Sequence, residues 1–122
     1  MMTKISFQAW RSGHYVGLAE LLGVLGPHAL DLQWKLHLEE VAPHPKARAL
    51  EAVAEPLGTP ALLQLLTPDV QIIDGELRAS RAGAHVLVLR AVDGTSWDAE
   101  SSDPELLGAL RQRFPEAVDL PE

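Results

Sequence analysis

The chain has 122 residues, no cysteine, and 17 acidic against ten basic side chains, for a net charge of −7. The missing cysteine excludes disulfides, thiolate metal sites, iron–sulfur clusters and cysteine nucleophiles. The acidity repels phosphate backbones, so nucleic acid is not an expected partner.

An apolar fraction of 47% with 22% charged residues fits a folded chain, and the length suffices for one core, so a single globular domain over residues 1–122 is expected. The first residues, Met1 to Phe7, lack the apolar run and cleavage pattern of a signal peptide, and no stretch is long and apolar enough to span a bilayer. The expectation is a soluble, cytoplasmic protein without a membrane partner.

The first strand is predicted over Lys4–Trp10, with Ile5, Phe7 and Ala9 on one face. Ser12-Gly13 breaks it, and a helix is expected from about His14 to Leu25, with Ser12 as its cap and Leu18, Leu21, Leu22 and Leu25 inward. Gly26-Pro27 ends that helix. From Leu30 to Glu40, apolar Leu30, Leu32, Trp34, Leu36 and Leu38 alternate with Asp31, Gln33, Lys35, His37 and Glu39. A helix would scatter these side chains, whereas a strand sorts them onto one apolar and one polar face. That pattern favours an antiparallel sheet covered on one side.

A second helix is expected over Pro45–Glu55, with Leu50, Val53 and Ala54 inward. Thr59-Pro60 reads as an N-cap with proline at the first helical position, opening a short leucine-rich helix over Ala61–Leu66 that should be buried on most sides. Val70–Ile73 and Glu76–Ser80 flank Asp74-Gly75, the preferred pair for a tight hairpin turn, and Gly75 is expected at positive φ. His85–Val92, apolar on both faces, should run near the sheet centre. Asp93-Gly94 repeats the hairpin signal, and Thr95–Glu100 returns beside it. Asp103 then caps a last helix with Pro104 at its first turn, Leu106, Leu107, Leu110 and Phe114 inward, and Arg111 and Arg113 at its carboxyl end. The acidic tail after Pro115 is expected to be loose. The fold class is α+β: a mainly antiparallel five- to six-stranded sheet with helices packed on one face.

Chemistry-bearing motifs are scarce. Phosphate-binding loops, dinucleotide glycine fingerprints, HExxH and GxSxG are all absent, so no cofactor and no catalytic residue are assigned. His37, Glu39, Glu40 and His44 supply only two side chains on a common strand face, short of a metal set, so no metal is assigned. Arg11, Ser12, Gly13 and His14, at an expected helix start, are a candidate site for an anionic small molecule, with backbone N–H groups and a guanidinium. The other candidate lies where charge is least balanced. Residues 1–50 carry five bases and four acids, whereas residues 51–122 carry five bases and thirteen acids. Trp97, Asp98 and Glu100, on the second hairpin, are expected to form an exposed docking surface for a basic protein.

Taken together, these features favour a non-catalytic binding or interaction module over an enzyme. In its concrete form it is an acidic inhibitor or immunity-type protein for a basic partner. The alternative is a small enzyme or ligand-binding domain using the Arg11–His14 turn. A homo-oligomer is left open.

Overall fold

A computed structural model describes residues 2–121. The chain is α+β, built on a seven-stranded sheet whose strands all pair antiparallel.

The first strand, β1, covers Thr3–Gln8 and buries Ile5 and Phe7. Ser12 (φ 52°) and Gly13 (φ 77°) then form a turn with positive φ at both central residues, and β2 (Trp10–Arg11) folds back on β3 (His14–Tyr15) as a small separate hairpin. Paired positive φ values match the right-handed twist of the flanking strands. The expected helix start at His14 is therefore corrected: α1 begins at Leu18, capped by Gly17, and runs to Leu25. A side chain at Gly17 would crowd Tyr15, whose Cε2 lies 3.2 Å from where its Cβ would stand. Gly26, at φ 56°, ends the helix as read from the sequence and leads into a 3-10 turn over Gly26–Ala29.

The alternating segment forms β4, Gln33–Val41. Trp34 is fully buried and Leu36 and Leu38 partly so, while Gln33, Lys35 and His37 face outward as expected. Leu32 is buried just ahead of the strand, but Leu30 falls in the preceding turn and is 60% exposed.

The second helix, α2, is only Ala47–Glu51, because the chain must then cross to β5 (Leu57–Gly58) beside Gln33 and Trp34. Of the three residues expected inward on it, Leu50 is buried, Val53 partly so and Ala54 exposed. Thr59 does not cap α3 (Thr59–Gln64), which starts after Gly58. Its hydroxyl points into the core instead, accepting from Trp34 Nε1 at 2.8 Å and donating to the Ala29 carbonyl. Leu62 is buried in α3 and Leu63 is 40% exposed, so burial is one-sided.

The largest departure is at Asp74-Gly75. No hairpin forms there: β6 runs unbroken from Ile72 to Arg81, and Gly75 is not among the glycines of positive φ. Gly75 is needed for space. Across the ladder β4 has an irregular register between Leu38 and Glu40, and a Cβ at Gly75 would lie 3.0 Å from Leu38 Cδ2 and 3.1 Å from Leu38 Cα. Such a bulge presses one backbone against its neighbour, and a residue without Cβ accommodates it.

The turn that does follow β6 is Ala82 (φ 52°)-Gly83 (φ 82°), joining it to β7 (Ala84–Val92). Asp93 (φ 55°) and Gly94 (φ 67°) then turn the chain into β8, Ser96–Ser101, as expected.

The sheet order is β5-β4-β6-β7-β8-β1-β9, which puts β7 at the centre. The last helix, α4, spans Pro104–Arg113, and the Asp103 carboxylate accepts from the Glu105 N–H at 2.8 Å. The tail is not loose: Val118–Leu120 forms β9 and pairs with Lys4–Ser6 of β1.

The core is one cluster that joins the inner sheet residues, among them Ile5, Trp34, Leu77, Leu89 and Trp97, to leucines of the helices. Phe114 stacks on Phe7 with ring centroids 4.4 Å apart. On the opposite side of the sheet the register sets charges in rows. His37, Glu76, Arg90 and Asp98 form one, and Lys35, Arg78, Val88, Glu100 and Lys4 the next.

Candidate functional site

Arg11, Ser12, Gly13 and His14 lie on the β2–β3 hairpin, three or more residues ahead of the helix whose N-terminus was to hold an anion. Ser12 and Gly13 are the turn itself. The Arg11 guanidinium pairs with Glu116 (3.0 Å), donates to the Arg113 carbonyl (3.2 Å) and lies 5.1 Å from the Phe114 ring centroid. His14 Nε2 is 2.6 Å from Glu20 Oε1, and Glu20 is also paired with Arg113. Arg11 and His14 thus tie the hairpin to α4 with the segment after it and to α1. Two surface grooves, of about 340 and 320 Å³, lie along α4, and neither is lined by Arg11 or His14.

Trp97 is not on the surface. It is 1% exposed and its indole N–H donates to the Val16 carbonyl at 2.8 Å, because the β7–β8 register turns it inward beside Ala91 and Phe7. Asp98 and Glu100 do share the outer face, partly exposed, but bases stand next to them. Glu100 pairs with Lys4 at 3.4 Å and Asp98 faces Arg90 across the ladder. Arg90 in turn binds Glu76 at 2.8 Å, and Arg78 binds Glu76 as well. Burial would push the Glu76 carboxyl up, but these two guanidinium groups outweigh it and hold it below its ordinary value.

His44 turns to Asp69, 3.1 Å away, and His37 stands opposite Glu76, so the His37–His44 stretch does not converge. Among the described residues no group of three or more His, Asp or Glu side chains is placed to hold a metal ion. The Tyr15 hydroxyl is buried, and burial pushes it above its ordinary value against the smaller opposing effect of the Ile72 backbone.

Charge without compensation collects elsewhere. Glu40 lies directly opposite Asp74 in the β4–β6 ladder, and the Asp93 backbone N–H donates to Asp74 Oδ1 at 2.9 Å. Among the described residues none of these three carboxylates is in an ion pair. The same turn holds Trp10, whose indole N–H donates to the Gly94 carbonyl at 2.9 Å. Trp10 is 47% exposed, whereas Trp34 and Trp97 are buried, and its ring leans on Tyr15 at 5.3 Å. The sequence placed Trp10 at the end of a strand. The juxtaposition of Glu40 with Asp74 was hidden because Asp74 was read as a turn. No protein family, curated protein or solved structure matches the chain.

Proposed function

We propose that the protein is a non-catalytic binding module of the cytoplasm that captures a basic protein, in the manner of an acidic inhibitor or immunity-type protein. The observation that carries this reading is the opposition of Glu40 and Asp74, beside Asp93 and the half-exposed Trp10. Like charges directly opposite in a ladder destabilise the strand pair. A lysine or arginine arriving from a partner would neutralise them. A half-exposed tryptophan bonded to the Asp93-Gly94 turn suits a cationic side chain, through the ring quadrupole and through the apolar stem of the base. The net charge of −7 adds long-range steering of a cationic partner. The contact surface expected around Trp97 thereby moves to the neighbouring turn, with Trp10 as its aromatic element.

The test uses a short arginine- and lysine-rich peptide as probe, with association followed at low and at high salt. Wild type should bind with an affinity that falls as salt rises. Trp10→Ala and Glu40→Lys should each weaken binding several-fold, and Asp98→Asn with Glu100→Gln should leave it nearly unchanged. Equal binding by all variants, or stronger loss from the Asp98 and Glu100 changes, would reject this end of the sheet as the docking surface.

A further inference from the structure

Among the described residues β5 pairs only with Gln33 and Trp34, and from Lys35 onward no strand lies beside β4 on that side. Among the described residues no loop backbone hydrogen-bonds the main chain of Lys35–Glu40. The lack of a neighbour is visible in the leucines: Trp34, alongside β5, is fully buried, while Leu36 and Leu38 are only partly covered. An edge of this kind is a template for one more strand.

We propose that this edge pairs antiparallel with the same edge of a second copy of the chain, about a two-fold axis at His37. In that register His37 faces itself, Leu36 faces Leu38 of the second copy, and Lys35 faces Glu39 of the second copy. The pairing is isologous, so each match occurs twice.

Charge complementarity selects this occupant. Lys35 stands opposite Arg78 within its own sheet, a like-charge pair, and among the described residues neither Lys35 nor Glu39 is in an ion pair. A carboxylate brought to the open side of Lys35 relieves that repulsion. The segment Lys35-Leu36-His37-Leu38-Glu39 carries the needed carboxylate at the symmetry-related position. The register shift falls at Glu39, which has no ladder partner in β6, and a second shift follows Glu40, so the pairing closes at five residues per copy. An interface so small belongs to weak, reversible association. The inference stands apart from the basic-partner reading, which uses Trp10, Glu40, Asp74 and Asp93.

Sedimentation velocity of the full chain over rising concentration tests it, with circular dichroism to confirm that each variant is folded. Wild type should pass reversibly from monomer to dimer. Lys35→Glu and Glu39→Lys should each stay monomeric at concentrations where wild type dimerises. An equimolar mixture of the two variants should dimerise again, as should the chain carrying both changes. A wild type that remains monomeric throughout overturns the proposal, as does a dimer that Lys35→Glu leaves intact or that the mixture fails to restore.

Discussion

The Trp34 indole donates to the Thr59 hydroxyl at 2.8 Å inside the core, and Thr59 hands its own proton to the Ala29 carbonyl. One hydroxyl thereby satisfies two buried groups from distant segments. Thr59 is 2% exposed, so bulk solvent does not reach it. Thr59→Val, which keeps the shape, should lower stability by about 1–3 kcal/mol, since both partners are left unpaired. Thr59→Ser should recover most of the loss. Chemical denaturation of the three proteins checks this, and a valine variant as stable as wild type would show that the relay contributes nothing.

Leu36 and Leu77 are ladder partners with unequal burial: Leu77 is fully buried and Leu36 only partly so. Leu77→Ala should cost roughly 2–5 kcal/mol through lost burial and the cavity left behind. Leu36→Ala should cost distinctly less, because its site is open to solvent on one side. The two denaturation midpoints decide it.

Two glycines should respond to alanine with opposite signs. At Gly75 the new Cβ would press on Leu38 at 3.0–3.1 Å, so Gly75→Ala should destabilise the protein and disturb the bulge. At Gly108, within α4, nothing lies within 4 Å of the added atom. Gly108→Ala should therefore stabilise by about 0.5–1 kcal/mol through helix propensity. Thermal midpoints that shift in the same direction would contradict this.

Acid should release a clasp at the end of β6, where the Arg81 guanidinium binds the α4 cap Asp103 at 3.0 Å and, ahead of β4, Asp31 at 2.9 Å and the His28 carbonyl at 2.8 Å. Burial tends to raise the Asp103 carboxyl, but its bonds to Arg81 and to the Glu105 N–H outweigh that and hold it below its ordinary 3.8. A group lowered on folding adds stability above its unfolded value and loses it as pH falls through the folded one. Asp103→Asn, which keeps a capping side chain, should be less stable than wild type at neutral pH. The gap should close as pH drops below about 3.8. A gap that is constant across pH would assign the effect to capping alone.

The Arg11 turn should not act as an anion site. Because Glu116 and the Phe114 ring already engage its guanidinium, sulfate should shift the thermal midpoints of wild type and Arg11→Ala equally. Protection seen only in wild type would restore the small-molecule reading.

Local chemistry made some elements plain and concealed others. Asp103-Pro104 could be read as a helix start because cap and proline act within one turn. The central place of β7 followed from its two apolar faces. Asp74-Gly75 and Asp93-Gly94 are the same dipeptide, yet only the second turns. The bulge across from Gly75 makes the difference, and it belongs to β4, some 35 residues away. Arg81–Ala84 separates two strand-like runs and does hold a turn, though Ala82-Gly83 is no hairpin dipeptide by type, since alanine rarely takes φ 52°. Trp97 was judged by the acids around it, but strand alternation, not neighbouring charge, decides which face a side chain takes. For the candidate site, Trp10 was visible and its acidic neighbours were not, since only the β4–β6 register brings Glu40 to Asp74.

The position of β1 between β8 and β9 bears on how the protein is made. A ribosome releases Ile5 and Phe7 near the beginning of this sequence, yet the strands that flank them lie at residues 96–101 and 118–120. Until those segments emerge, two of the core's large side chains have no sheet to join. The meander β6–β7–β8, closed by short turns, can form during synthesis, whereas β1 must wait for β8 and β9. For that interval a nascent chain exposes an unpaired apolar strand, the kind of segment that chaperones bind and that aggregates when they are scarce.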